Sequence, residues 1–394
     1  MAPSAPEVLT PRDARMAALS AQCLLKSVPS VEEALVRTAG VSGAIPSGAL
    51  SLAARVSNFS PADLDRALEE DRSVVRVPAM RGAVYLLPTD LAAAGLSLAR
   101  PGQFRPALDR AGMREEAHEE LTMAVEALLE GTQRTGTEIR RALGPERIKR
   151  DLPKGTFVFF LRGLSHEGRI LRVGVRGGPR SQAFEYARTE DWIGAPLRVP
   201  SETEGLARLL PLYLDAHGPA GLQDLAWWAG VTQKVARTAV RRLGPREVRL
   251  EGRGDVVYTS DTPLPGDSRV HASRVTLLPH WDPYLTAHVD RSRYLPQRCQ
   301  DRVVDRGGNS TNVILVDGQV AGVWDYSEGV LAYAGFRPGL NPSLLRAAST
   351  GVASVLGELN LIERSHAPSL RGRGQNAFRS PLRGVETGKP GSPP

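Results

Sequence analysis

Three times between Pro11 and Thr262 the sequence runs through one order, helical segments followed by two short strand-like runs around a turn. Such recurrence constrains the fold strongly, because a small unit cannot bury its apolar face alone and neighbouring units must share a core. After a loose leader at residues 1–10, the first pass predicts a helix over Pro11–Leu25. Ser30 then stands as an N-cap with Glu33 three residues on, the spacing of a capping box. Short helices follow at Ser47–Arg55 and from Ser60-Pro61 to Glu70. The runs Ser73–Val77 and Ala83–Leu87 have strand composition and flank a break at Pro78–Gly82. The second pass predicts helices at Glu119–Leu129, Thr137–Leu143 and Phe157–His166. Strands follow at Arg169–Val173 and Gln182–Tyr186 around a Gly-rich turn, Gly174–Pro179. The third predicts helices at Glu204–Ala216, Leu222–Ala229 and Gln233–Leu243, the last capped by Thr232, then strands at Val248–Leu250 and Val256–Thr259.

Helices followed by a two-stranded hairpin describe a winged helix. The third unit carries the sharpest signal. Its last helix places Lys234, Arg237 and Arg241 three and four residues apart, as one basic stripe. Val235, Ala236, Ala239, Val240 and Leu243 form the apolar face. A recognition helix needs this division, since one face packs and the other enters the major groove. A solvated surface helix would carry the same stripe. Pro263–Asp267 then reads as a linker. Residues 270–335 read as a small β domain, with a hairpin over Asn312–Trp324 that turns at Asp317-Gly318. A helix is expected over Pro342–Leu359. From His366 the chain is rich in Arg, Gly, Ser and Pro and reads as disordered, with Arg371, Arg373, Arg379 and Arg383 as candidate phosphate contacts. The expected fold is α+β: three tandem winged helices (1–113, 114–200, 201–262), a β-barrel-like domain with a C-terminal helix (263–365), and a disordered basic tail (366–394).

The chain has 394 residues and a formal net charge of +7, with 50 Lys and Arg together. Only five are Lys. This balance favours a polyanionic partner, and the planar guanidinium fork suits phosphate, although a GC-rich genome would also favour Arg. The two cysteines, Cys23 and Cys299, are far apart and give neither a zinc spacing nor a disulfide framework. No signal peptide and no apolar run long enough to span a membrane are read, so a reducing cytoplasm is expected. No cofactor is expected either: the glycines at 174–178 sit in a wing rather than after a strand and before a helix, and no nucleophile elbow is present. His280, Asp282, His288 and Asp290 are ligand types, but Asp282-Pro283 reads better as a turn whose carboxylate caps backbone amides, so no metal is assigned. Arg291 and Arg293 suit either the DNA backbone or a structural pairing with Asp290. Arg81, in the first wing, suits phosphate or the minor groove, or a solvated turn. Trp227 and Trp228, adjacent within a helix, read as core.

Several segments together resemble one family. They are Met80–Leu87, the run His217-Gly-Pro-Ala-Gly-Leu-Gln-Asp-Leu-Ala-Trp-Trp-Ala-Gly230, the run Leu277-Leu-Pro-His-Trp-Asp-Pro-Tyr-Leu285 with Asp290-Arg-Ser292 behind it, and Val313–Trp324. In combination they resemble the tandem winged-helix proteins that include the AlkZ- and YcaQ-like DNA glycosylases, over most of residues 11–345. The resemblance implies winged helices cradling duplex DNA, an appended β-barrel, and hydrolysis of the N-glycosidic bond of alkylated purines or of some interstrand crosslinks. It also implies a Gln-x-Gln or Gln-x-Asp pair in the first unit to orient water and favour positive charge on the sugar. Here the matching positions are Ser42 and Ala44, or Val41 and Gly43 after a one-residue slip, and no Gln, Asp or Glu lies between Ala39 and Leu50. Gln22, in the preceding helix, is the nearest substitute.

The expectation is therefore a monomeric, sequence-tolerant duplex-DNA binder acting in damage recognition. An alternative is a monofunctional DNA glycosylase, a hydrolase, with a diverged water site in which Ser42 is the remaining polar candidate. A second alternative is a transcription regulator. Candidate DNA contacts are Arg81, Lys234, Arg237, Arg241, Arg291 and Arg293.

Overall fold

The computed structural model describes residues 7–99, 104–177, 181, 183–260, 273–336, 340–371, 373 and 376–386. The linker expected at Pro263–Asp267 lies outside them. In chain order the strands are β1 (Val8–Leu9), β2 (Val41–Ser42), β3 (Val74–Pro78), β4 (Val84–Pro88), β5 (Arg134–Thr135), β6 (Ile170–Arg176), β7 (Ala183–Arg188), β8 (Ala220–Gly221), β9 (Arg246–Leu250), β10 (Val257–Thr259), β11 (Val275–Leu278), β12 (Val313–Val316), β13 (Gln319–Ser327), β14 (Val330–Gly335) and β15 (Asn360–Glu363). They form three sheets among many helices, in the orders β1-β9-β10-β8, β2-β4-β3-β6-β7-β5 and β11-β12-β13-β14-β15. The chain is thus mixed α+β, as expected.

The helices stand close to their expected places, and their caps explain the boundaries. Thr232 accepts a hydrogen bond from Val235 N at the start of Gln233–Leu243, and Gly244 ends that helix in the left-handed region. Thr135 and Glu138 form a reciprocal capping box on Gly136–Leu143. Ser30 caps Glu33 N as its spacing suggests, while the neighbouring Glu32 bonds the Ser73 hydroxyl. The turn between β12 and β13 has Asp317 and Gly318 both at positive φ, which fits the short Asp-Gly hairpin.

Four expectations fail, each for a packing reason. The leader is not loose throughout, because Val8 and Leu9 add a parallel strand to β9. The first two hairpins do not stand apart as separate wings: β3 pairs with β6 at Arg76–Arg172, joining them in one sheet. The β domain is not a barrel. Its five strands make an open sheet, and the helix Pro342–Leu356 packs against β11. The segment after His366 is not uniformly disordered, since Ala367, Leu370, Phe378 and Leu382 are buried. Low hydrophobicity hid these four anchors, each isolated among Arg, Gly and Ser.

The cores cross these segments. Val75, Leu87, Leu171, Leu209, Tyr213 and Trp228 belong to one buried cluster, which ties all three passes together. A second cluster joins Leu52 and Val74 to Leu277, Trp324 and Leu345 of the β domain. The polar tie between the same two regions is Arg55–Asp282. Both side chains are fully buried, and Arg55 donates to both carboxylate oxygens at 2.7 and 2.8 Å. Asp282 also accepts from Ser51 Oγ at 2.7 Å and caps Tyr284 N at 3.0 Å. The turn cap read from sequence is present, and the carboxylate is also a buried ion-pair partner.

Candidate functional site

One cleft of about 590 Å³ gathers residues from every part of the chain. Ser42, Gly43, Ala44 and Ile45 enter from the end of β2, Arg76 from β3, and Arg81 from the turn before β4. Arg162, Ser165 and His166 come from the helix Phe157–His166, Arg172 from β6 and Phe184 from β7. Trp227, His280, Trp281, Asn309 and Arg379 complete the opposite wall. Five arginines line this space and no carboxylate does among the described residues.

The Ser42 segment is held by its backbone. Gly43 N donates to Val84 O, and Ser42 pairs with Tyr85 across β2 and β4. Ser42 Oγ accepts from Ala44 N at a long 3.3 Å, so the hydroxyl keeps most of its capacity. Gly48 sits directly behind. A Cβ there would stand 2.5 Å from Ser42 O, so only glycine lets the helix Ser47–Ala53 back the segment this closely. Of the slipped alternative, Val41 is fully buried in the core.

His166 is a cleft residue that sequence reasoning passed over. Its Nδ1 lies 3.0 Å from Ala99 O, which can only accept, so Nδ1 carries the hydrogen and Nε2 is left as an acceptor. Burial lowers its pKa, and the nearby Arg172 and Arg162 charges add to the effect. It is therefore neutral at pH 7. His280 is also held neutral, pushed down to about 4 chiefly by burial. Its ring is engaged by Ser47 Oγ and Asn312 Oδ1. Asn309 brings an amide to the cleft, but its oxygen accepts from Trp281 Nε1 and its nitrogen donates to Asp305.

Two indoles carry guanidinium groups. Arg81 lies 4.5 Å from the centre of the Trp227 ring, and Arg379 lies 5.1 Å from that of Trp281. Gly230 allows the first contact: it ends the helix Leu222–Ala229 at φ +77, and a Cβ there would meet Arg81 Cα at 2.8 Å. The expectation of two core tryptophans thus holds for Trp228, 2% exposed, while Trp227 lines the cleft. Trp281 adopts φ +61, strained for a bulky residue. Two hydrogen bonds hold it there, Trp281 N to Ser310 Oγ and Trp281 Nε1 to Asn309 Oδ1.

The other expected residues separate. Lys234, Arg237 and Arg241 form an exposed stripe as expected, outside the cleft, although Leu243 of the supposed apolar face is 41% exposed. Arg291 and Arg293 are buried, with their guanidinium groups turned to carbonyls of the chain itself. Arg291 donates to Leu285 O and Gly308 O, and Arg293 donates to Pro219 O. Gln22 is not among the residues that line the cleft. It is 1% exposed and bonds Ala216 O, His217 Nδ1 and Arg55. Asp282, His280 and His288 are committed to protein partners, and the described residues contain no metal-binding cluster. No described helix is long and apolar enough to cross a membrane. Arg76 and Arg172 were missed, although a lone Arg inside Val74-Val-Arg-Val-Pro78 and again inside Ile170-Leu-Arg-Val173 was a legible signal.

No curated protein matches this sequence. Among solved structures it is similar to the Streptomyces sahachiroi DNA glycosylase AlkZ, with TM-score 0.72 and 23% identity over 90% of this chain and 99% of that one. At that identity the likeness speaks for the fold. The family model described as DNA glycosylase AlkZ-like matches residues 42–359, most of the chain, and the chain therefore belongs to the AlkZ-like DNA glycosylase family.

Proposed function

We propose that this protein is a DNA-repair glycosylase that binds duplex DNA as a monomer in the bacterial cytoplasm and hydrolyses the N-glycosidic bond of an alkylated purine. The helix–hairpin passes over 1–113, 114–200 and 201–262 bind the duplex as winged-helix units, the first two with their hairpins joined in one sheet, and an extruded nucleotide occupies the cleft. The C1′–N9 bond breaks, water oxygen adds to C1′ and gives up one proton to His166 Nε2 or to solvent, and the alkylated base departs with the bonding pair. A base already cationic leaves neutral, so little acid catalysis is needed. What the site must supply is a placed water. Ser42 Oγ and Nε2 of His166, which has no hydrogen bond among the described residues, are the candidate acceptors for it. The observation that carries this reading is their convergence, with the arginine wall, on one cleft in a chain of this family.

A second reading, recognition of damaged DNA without chemistry, is favoured by one observation. No carboxylate and no uncommitted amide oxygen lines the cleft among the described residues, and five arginines oppose positive charge growing on a sugar. The test is single-turnover base release from a duplex carrying one N7-methylguanine, protein in excess, read by cleavage at abasic sites. The glycosylase reading expects release well above the spontaneous rate, slowed at least tenfold in Ser42→Ala or His166→Asn. Tight binding without release selects the second reading, and neither binding nor release removes both.

A further inference from the structure

Arg76 and Arg172 stand directly opposite each other across β3 and β6, the only described register pair between these strands. Opposed like charges on adjacent strands are destabilising. Arg76 is 5% exposed, and its Nε and Nη1 are buried without a hydrogen-bond partner among the described residues, as is Nε of Arg172. Both guanidinium groups instead lie near one ring, 5.5 and 5.1 Å from the centre of Phe184. Asp65 and Glu69 act on Arg76 through space only, with no ion pair to it. Burial, and then the Arg172 charge, push the Arg76 pKa down to about 10, so it remains a cation at pH 7. A buried cation facing a second cation, with donors unmet, is a costly arrangement unless something anionic completes it.

We propose that Arg76 and Arg172 together form a phosphate subsite, which on the duplex-DNA reading holds one phosphodiester of the strand whose nucleotide enters the cleft. Both residues line the cleft that Ser42 and His166 also line. A phosphate seated there neutralises the opposed charges and accepts from the guanidinium nitrogens that face the cleft. The subsite would fix the strand in register beside Ser42 without reading sequence. Phe184, 5.5 and 5.1 Å from the two guanidinium groups, holds both cations beside one ring and so keeps them together at the cleft wall.

The test compares wild type, Arg76→Met and Arg172→Gln in two measurements. The first is thermal unfolding in chloride and in inorganic phosphate at matched ionic strength. The second is anisotropy of a labelled duplex across a salt series. The expected result is that phosphate raises the wild-type Tm by a few degrees over chloride. Arg76→Met should melt at or above wild type in chloride, because an apolar side chain replaces an unsatisfied buried cation, and should lose the phosphate increment. Both variants should lower the log–log salt slope by about 1, the signature of one lost phosphate contact. Phosphate should also compete with duplex more strongly than chloride does. If Arg76→Met melts several degrees lower and keeps the phosphate increment, Arg76 is a structural residue and the subsite is overturned. If it does not fold, half-buried Arg172 supplies the same two readouts through Arg172→Gln. Wild type that shows the phosphate increment but binds no duplex keeps the anion site and removes the DNA reading. Duplex binding with an unchanged slope and no special competition by phosphate means the occupant is a free anion, and the phosphodiester assignment falls.

Discussion

Arg55 and Arg76 are both buried arginines of the first pass, and they do opposite things. Arg55 has its own anion: Asp282 meets it on two oxygens, Ser51 O and Gln22 Oε1 accept from the same two nitrogens, and only Nε is left unmet among the described residues. Arg76 has none and faces Arg172 across the strands. The first arrangement is architecture, fastening the helix Ser47–Ala53 to the loop that carries Trp281. The second leaves unmet donors in a cleft. Residue type and burial are the same in both, so partnership alone separates a structural cation from a binding one.

The largest effect should come from breaking the Arg55 side of this comparison. Asp282→Asn leaves a fully buried guanidinium without its counter-charge, and loss of one partner of such a pair costs about 3–5 kcal/mol. Urea unfolding should show the extrapolated stability fall by that amount, read as a lower midpoint with little change in slope. Arg55→Met combined with Asp282→Leu should recover much of it. A loss below about 1 kcal/mol in Asp282→Asn would mean that the pair is not the fastening described.

The next effect is a pH dependence. Burial pushes His217 down to about 3 from an ordinary value of 6.5, with the Arg55 and Arg293 charges adding to it. His217 accepts from Gln22 at Nδ1 and donates from Nε2 to Thr38 O. Burial lowers His288 and His166 as well. These imidazoles are neutral when folded and take up a proton when unfolded at mildly acidic pH. Their contribution to stability is therefore whole above about pH 6.5 and is lost as pH falls towards their folded values. For His217 this is about 1.4 kcal/mol per pH unit within that window. Denaturation midpoints at pH 7.5, 6 and 5 should drop steadily, and His217→Gln should flatten the drop. A flat profile would mean that these rings accept protons inside the fold.

Much of the fold was legible because its signals are local. Caps such as Thr232, the Asp317-Gly318 turn and the periodicity of Gln233–Leu243 need no distant partner. The Ser42–Ala44 segment, which lines the cleft, could be singled out for the same reason, since it is contiguous. What failed depended on distance. Arg291 and Arg293 looked like phosphate contacts until Pro219, Leu285 and Gly308 supplied carbonyls to bury them against. Arg379, assigned to a disordered tail, reaches the cleft because Phe378 anchors the chain beside Trp281, with ring centres 5.1 Å apart. Arg76 and Arg172 lie almost a hundred residues apart, and only the pairing of β3 with β6 makes them one feature.

A smaller effect separates the cleft from the exposed stripe on Gln233–Leu243. Lys234, Arg237 and Arg241 are solvated, so replacing all three with Gln should leave stability unchanged within about 0.5 kcal/mol. If that helix lies on DNA, the triple variant should lower the log–log salt slope by up to about 3, roughly 1 per phosphate. An unchanged slope would restrict DNA contact to the cleft and leave the stripe as surface.

The smallest expected effect concerns Arg81 and Trp227. Their contact is partly exposed and worth about 0.5–1 kcal/mol. Arg81 stands at φ +59, where a long side chain is mildly strained, so Arg81→Gly removes that strain as it removes the cation. Stability should therefore change little, because the two terms oppose each other. Arg81→Lys keeps the charge and loses the planar face over the indole. If Arg81 serves the cleft through charge, Lys should restore duplex binding that Gly loses. If it serves by stacking, Lys should fall with Gly, and Trp227 fluorescence should shift equally in both. Binding equal to wild type in both variants would place Arg81 with Arg55 as a structural residue, and would leave Arg76 and Arg172 as the groups that draw DNA into the cleft.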